Sequence, residues 1–393
     1  VKCLLISFFN SDNLGDLVIS DILYNYVKIK FCTVKMSYGS NPFGFSDING
    51  MDNVRGIKKK QIFKNNLYIL ILICRLEKIL EWYRGNHKNE LEIQIEEKIV
   101  ENDIIIIGGG NMIFDVDKFS CSAKTFKTII DIAKKSDKKV FAISIGIGPF
   151  VTDLQEKKAV DALNMCDVIT FRDSKSKEIY NKYYKDKKAI LTIDPVFMLP
   201  YCVEDNRSKT DNIIAINLFD NRLVKEKQKK YIEIKNGYIE LILRILSKTN
   251  SKVILFSTDL NDYEMINEVY GEIISSNLEV MYISGFDDLI YLYSKINLLI
   301  GCRMHSMIIA YTQHIPVIGF SWQPKVDAFF EIINQQECVF RYDKIVNNID
   351  EILSCCDAKL NNLEYEKEKI NTQLKEIRKK FKINEEILLK MSS

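Results

Sequence analysis

Two unbroken aliphatic runs, IIIIG at 104–108 and VFAISIG at 140–146, constrain this chain more than any other feature in it. A strand wet on one face alternates apolar and polar residues, whereas a strand covered on both faces reads as continuously apolar. Helical crossovers between parallel strands cover both faces, so the two runs predict central strands of a parallel sheet wrapped by helices. Around them, β-rich segments at 2–9, 103–107, 139–145, 167–171 and 189–193 alternate with amphipathic stretches. A second alternating series follows, with IIAINLF at 213–219, KVILFS at 252–257, LEVMYIS at 278–284, INLLIG at 296–301 and IPVIGFS at 315–321. The chain turns polar and aperiodic between Pro200 and Asn212, where a domain boundary fits. The expected architecture is α/β: a Rossmann-like domain over 1–203 and a second over 204–393 that ends in one or two amphipathic helices able to pack on either domain.

The stretch 37–100 breaks the alternation and reads as an insertion. Ser37 to Asn53 is rich in Gly, Asn and Asp and reads as loop, and Gln61 to Arg84 reads as an apolar-biased helix, either core or a docking or membrane-contacting surface. Its most apolar segment, Leu67 to Cys74, is eight residues long before Arg75, against about 20 needed to span a bilayer. The apolar run at the N-terminus ends by Asn10, too short for a secretory signal, and reads as the first strand.

Charge and cysteine content exclude several function classes. Lys and Arg total 55 against 53 Asp and Glu, so no global positive field exists to hold nucleic acid, and an anionic ligand has to be met locally. The ten cysteines form no CxxC pair and no zinc-like spacing with the three histidines. They read as reduced thiols of a cytoplasmic protein, and no metal site is expected.

In open parallel sheets, ligands bind beyond the carboxyl ends of the strands, where turns expose backbone amides at helix N-termini. In the first such turn, Asn13 and Asp16 are either caps or ligand contacts, and Gly15 permits close backbone approach. The second, Gly108-Gly109-Gly110-Asn111, is either a tight turn or a ligand cradle; it is neither a GxGxxG fingerprint nor a P-loop. Gly146-Ile147-Gly148-Pro149 ends another buried strand, and Arg172 follows a fourth, where it needs either a carboxylate or a bound anion.

The fifth turn, Cys302-Arg303-Met304-His305-Ser306, puts a guanidinium and an imidazole at the start of one helix. The helix dipole disfavours cations there, which points either to an anion between strand end and helix start or to a buried, satisfied structural histidine. Lys325, behind Pro324 at a helix start, brings another cation to the neighbouring strand end. His87 and His314 lie in loop and turn contexts, leaving His305 as the imidazole candidate.

The ordered set N-x-G-D at 13–16, IIIIGGGN, AISIGIGP, ITFRDSKS, TIDPVF and GCRMHSMIIAYTQHIPVIGFSWQPK resembles the polysaccharide pyruvyl transferase family, from about Ile6 to Phe330. The resemblance implies two Rossmann-like domains in a glycosyltransferase-B-like arrangement. It also implies transfer of pyruvate from phosphoenolpyruvate, as a cyclic ketal, onto two hydroxyls of a sugar in a surface polysaccharide or its lipid-linked precursor. The co-substrate is phosphoenolpyruvate and no cofactor is expected; the setting is the cytoplasm, with weak membrane association at the inner face. On this reading His305 is general acid or base, and Arg303 and Lys325 bind donor carboxylate or phosphate and stabilise developing charge. Arg172 and Ser306 join them on the donor side, while Asn13, Gly15, Asp16, Gly109, Gly110 and Asn111 line the acceptor side of the cleft. Asp194 either orients a cation or caps a turn. Trp322 stands where the resemblance leads one to expect tyrosine. Two alternatives remain: a nucleotide-sugar glycosyltransferase of the same architecture, which needs a ribose-binding carboxylate late in the second domain, and a non-catalytic sugar-binding relative.

Overall fold

The computed structural model describes residues 1–11, 13–38, 90–115, 120, 122–185, 189–203, 212–223, 225–248 and 251–392. Two parallel sheets carry the chain. The first contains β1 (Lys2–Ser7), β2 (Cys32–Ser37), β3 (Ile104–Gly108), β4 (Asn111–Ile113), β5 (Lys139–Ile147), β6 (Val168–Phe171) and β7 (Ala189–Leu191). Its order is β2-β1-β3-β5-β6-β7, with β4 paired beside β5. The second contains β8 (Ile213–Asn217), β9 (Lys252–Phe256), β10 (Leu278–Val280), β11 (Leu298–Gly301), β12 (Val317–Ser321) and β13 (Val339–Arg341), in the order β10-β9-β8-β11-β12-β13. Every pairing is parallel, and all five residues of β3 are buried, as the unbroken aliphatic run requires.

The strands legible in the sequence are those with long apolar runs. β2, β4 and β13 were not expected: β2 is an edge strand whose first four residues are partly or fully exposed, and the other two have three residues each. The 37–100 insertion needs correction at both ends. Ser37 closes β2, and the helix Glu90–Val100 places Ile95 and Ile99 in the core of the first sheet, so both ends belong to the crossover from β2 to β3. The loop expected over 39–53, the helix over 61–84, its apolar run 67–74 and His87 lie outside the described residues. Among the described residues, no helix is long and apolar enough to cross a membrane.

One hydrophobic cluster runs through both halves and holds the sheets against each other. Its centre is the helix Met304–Thr312, all nine residues of which are buried. Such a helix has no solvent face, which accounts for its apolar character all round. It packs against the helix Leu14–Val27, the 3-10 turn Pro195–Met198 and the helix Pro324–Ile332.

The chain end crosses back. The helix Ile349–Leu360 packs on the second sheet, whereas the helices Leu363–Lys379 and Lys382–Ser392 return to the first domain. Arg378 donates to the carbonyls of Phe197 (2.8 Å) and Leu199 (2.7 Å). The fully buried Asn384 accepts from the Thr170 hydroxyl (2.8 Å) and donates to Ser144 Oγ (2.9 Å) and Thr192 Oγ1 (3.1 Å). A satisfied buried network of this kind fixes one docking position.

Candidate active site

Each sheet has a point where successive connections leave in opposite directions, between β1 and β3 in the first and between β8 and β11 in the second. Ligands of open α/β sheets bind outside the strand ends at such points. Here the two points face each other: the Leu14 amide donates to the Thr258 carbonyl at 3.2 Å, and Asn13 forms an antiparallel bridge with Asp259.

Asn13 opens the helix Leu14–Val27, its Oδ1 accepting from the Gly15 amide at 2.9 Å. Gly15 lies directly against His305. A Cβ added there would sit 2.4 Å from His305 Cβ and 2.5 Å from Nδ1, so only glycine lets the imidazole occupy this place. Asp16, in the same turn, accepts from Ser11 Oγ at 3.2 Å and presents Oδ1 4.0 Å from His305 Nδ1.

Arg172 leaves the end of β6 and is 3% exposed. Its Nη1 donates to Asp194 Oδ2 at 2.7 Å and contacts His305 Nε2 at 3.2 Å, and Nε lies 3.6 Å from Asp173 Oδ2. An arginine N–H can only donate, so in the neutral ring His305 Nε2 accepts from Arg172 and the proton is on Nδ1, toward Asp16; Nε2 also lies 3.6 Å from Asp194 Oδ2, so the doubly protonated ring faces a carboxylate on each side. Asp194 performs both roles the sequence allowed: Oδ1 caps the Val196 amide at 3.0 Å while Oδ2 holds Arg172. Burial opposes ionisation of Asp194, yet the Arg172 guanidinium and the His305 imidazole hold its carboxyl well below the usual carboxylate range.

Arg303 turns toward the second domain. Its Nε and Nη2 grip Asp262 at 2.8 and 2.7 Å, Nη2 also lies 3.2 Å from Asp259, and the guanidinium sits 4.8 Å from the centre of the Phe219 ring. The charge that made a cation awkward at this helix start is thus met by two carboxylates of the chain itself. Trp322 stacks on Phe219 with centroids 4.0 Å apart and donates its indole N–H to the Cys302 carbonyl at 3.0 Å.

Lys325 differs from both arginines. Among the described residues its ammonium has no hydrogen bond and no carboxylate within ion-pair distance, and it lies 5.8 Å above the Trp322 ring. Desolvation, then the charge of Arg172 and to a smaller degree Arg303, push it down to about 8 against the opposing pull of Asp16 and Asp194. Two adjoining pockets share Lys325 and Met304. One is lined by Asn13, Arg303, His305, Trp322 and Gln323, the other by Arg172, Asp194 and apolar residues including Phe197 and Phe329.

The structure therefore brings Asn13, Gly15, Asp16, Arg172, Arg303, His305 and Lys325 to one cleft. It takes Ser306 away from the donor side. That side chain is fully buried, its Oγ 2.9 Å from the Tyr293 hydroxyl, because the helix rotates position 306 into the core. The glycine turn does not line either cavity. Gly109, at φ +78°, packs so closely on the first helix that a Cβ would lie 2.1 Å from Ile19 Cγ2, and Asn111 is spent on the Gly148 carbonyl. Gly110 borders Asp16, where a Cβ would stand 3.5 Å from Oδ1. Sequence reasoning missed Asp259, Asp262 and Gln323; the run STDLND after β9 puts two carboxylates at a strand end beside the Arg303 turn, which was the available signal.

Two facing parallel α/β units, tied by terminal helices that cross back, define a protein of glycosyltransferase-B-like architecture. The chain is similar in structure to the UDP-GlcNAc 2-epimerase of Neisseria meningitidis bound to UDP-GlcNAc, with a TM-score of 0.56 at 13% identity over 99% of this chain and 100% of the other. It is also similar to the UDP-GlcNAc 2-epimerase of Methanocaldococcus jannaschii, with a TM-score of 0.52 at 10% identity over 92% and 93% of the two chains. At these identities the likeness concerns the fold alone. No curated protein matches the sequence. The sequence profile of the polysaccharide pyruvyl transferase family matches residues 13–324, and the chain belongs to that family.

Proposed function

We propose that the protein transfers pyruvate from phosphoenolpyruvate onto two hydroxyls of a sugar, closing a cyclic ketal on a surface polysaccharide or its lipid-linked precursor. The observation that carries this reading is Lys325, a cation with no carboxylate partner among the described residues, lining one cavity with His305 in a chain of this family. Arg172 and Arg303 are already neutralised by Asp194 and Asp262, so Lys325 is the group that calls for an external anion. Phosphoenolpyruvate brings both a carboxylate and a phosphate.

In the reaction, a proton goes to the vinyl carbon and one sugar hydroxyl adds to the adjacent carbon. Phosphate then leaves with the C–O bond electrons, and the second hydroxyl closes the ring. The two hydroxyl protons end on the new methyl group and on phosphate. As general acid His305 acts in its doubly protonated form, giving the proton on Nδ1, where no acceptor lies within hydrogen-bond distance among the described residues, and keeping the one on Nε2, 3.6 Å from Asp194 Oδ2. The Arg172–Asp194 pair holds the other nitrogen and fixes the ring. Asp16 stands opposite Nδ1, on the acceptor side, as partner for a sugar hydroxyl. No metal ion takes part in this scheme. The enzyme works in the cytoplasm, at the inner membrane face where lipid-linked precursors are assembled.

A thermal-shift titration with phosphoenolpyruvate tests the reading without knowledge of the acceptor. A ligand at 100 times its dissociation constant stabilises by about 2.7 kcal/mol. Wild type is expected to shift, Lys325→Met to lose the shift, and His305→Ala to keep most of it. A shift with a nucleotide sugar and none with phosphoenolpyruvate favours the glycosyltransferase alternative and refutes the donor assignment.

A further inference from the structure

Gln323 follows β12 and precedes Pro324 at the start of the helix Pro324–Ile332. A residue in this cap position commonly turns its side chain back onto the first helical amides, but Gln323 makes no such bond. That first turn is held instead by Ser321, whose hydroxyl donates to Asp327 Oδ2 at 2.7 Å. Gln323 lines a cleft pocket together with His305 and Lys325, and its side-chain Nε2 is buried with no acceptor among the described residues. A buried donor left unmade is unfavourable, and native proteins retain few of them.

The surrounding carboxylates do not answer it. Asp194 is engaged by Arg172, Asp259 and Asp262 by Arg303, and Asp16 accepts from Ser11. The uncommitted groups on this wall are therefore donors, the Gln323 amide and the Lys325 ammonium, which together suit a ligand rich in acceptor oxygens.

We infer that Gln323 is a substrate-binding residue of this cleft, its amide donating to an oxyanion oxygen of the ligand whose charge Lys325 neutralises. The inference rests on the pyruvyl-donor reading above and extends it to a residue outside the Arg303, His305 and Lys325 set. The division of labour has a physical basis. Arg172 and Arg303 already repel Lys325, so a further cation would add to that repulsion, whereas a neutral amide supplies direction without charge.

Isothermal titration of the full chain with phosphoenolpyruvate, and separately with inorganic phosphate, compares wild type with Gln323→Met, which keeps bulk and removes the donor. Losing a hydrogen bond to a charged acceptor raises the dissociation constant by roughly tenfold to a hundredfold. The unliganded melting temperature is expected not to fall, because Nε2 makes no hydrogen bond in the free protein. Gln323→Glu, which puts a carboxylate against the ligand, is expected to weaken binding further. Unchanged affinity in Gln323→Met overturns the inference and leaves the donor reading standing, as does weaker binding accompanied by a lowered melting temperature, which marks a structural role. Wild type that ignores phosphoenolpyruvate yet binds phosphate in a Gln323-dependent way refutes the donor reading and keeps the inference. Silence toward both ligands refutes both.

Discussion

Lys325 ties donor affinity to pH. In the unliganded protein its ammonium is pushed from an ordinary value of 10.5 down to about 8 by burial and then by its arginine neighbours. A bound dianion supplies the missing counter-charge and lifts the lysine back toward its ordinary range. Above about pH 8 binding therefore takes up a proton, and the apparent dissociation constant grows as the free protein loses its ammonium. About nine-tenths of the free protein carries that charge at pH 7 and about one-tenth at pH 9, so affinity falls roughly tenfold, or about 1.4 kcal/mol, between them. Phosphoenolpyruvate keeps its full charge over this interval, so the titration belongs to the protein. Calorimetry at pH 7 and 9, in buffers of different ionisation enthalpy, reads both the affinity and the proton uptake. Lys325→Met is expected to bind weakly with no slope. A flat wild-type profile from pH 7 to 9, or a slope that survives in Lys325→Met, refutes the reasoning. Stability of the unliganded protein runs the other way. Between about 8 and the ordinary lysine value the unfolded chain binds more protons than the folded one, so this residue's contribution to stability rises with pH across that window.

Three further outcomes follow from the same geometry. Gly15→Ala removes a helix-disfavoured residue yet forces a Cβ to 2.4 Å from His305 Cβ; displacing that ring is expected to lower kcat/KM about a hundredfold while the melting temperature changes by only a few degrees, and near-normal turnover would sink the close-packing account. Asp194→Asn takes from the buried Arg172 its closest counter-charge, leaving Asp173 at 3.6 Å, and is expected to cost about 3 kcal/mol in denaturant unfolding. Because the Asp194 carboxyl is held below its unfolded value, its contribution is present above the ordinary carboxylate pKa and is lost as pH falls toward the folded one, so Asp194→Asn also flattens the acid limb of the stability profile. Ser306→Ala loses a core hydrogen bond to Tyr293 worth about 1 kcal/mol and is expected to leave donor affinity unchanged; a large loss of affinity without destabilisation would return Ser306 to the donor site.

Much of the fold and part of the cleft were legible before any coordinates, for reasons that are local. An unbroken aliphatic strand such as Ile104–Gly108 can only be buried on both faces, and a parallel sheet sends its strand ends, with Asn13, Arg172 and Arg303, to one rim. β2 escaped because it is a half-exposed edge strand, and β4 and β13 because their three residues stand in shorter apolar segments than those around β7 and β10; Glu90–Val100 was read as insertion because Ile95 and Ile99 acquire their meaning only against the sheet they cover. Sequence also determined that cations gather at the rim, but not which of them is free. That depends on partners distant in the chain: Asp194 lies 22 residues from Arg172, and Asp262 lies 41 from Arg303, and a carboxylate neutralises an arginine only at hydrogen-bond distance. Only the tertiary structure places Gly15 beneath His305, turns Ser306 into the core against Tyr293, and leaves the Lys325 ammonium without a carboxylate partner among the described residues, because each outcome is set by packing between segments distant in the chain.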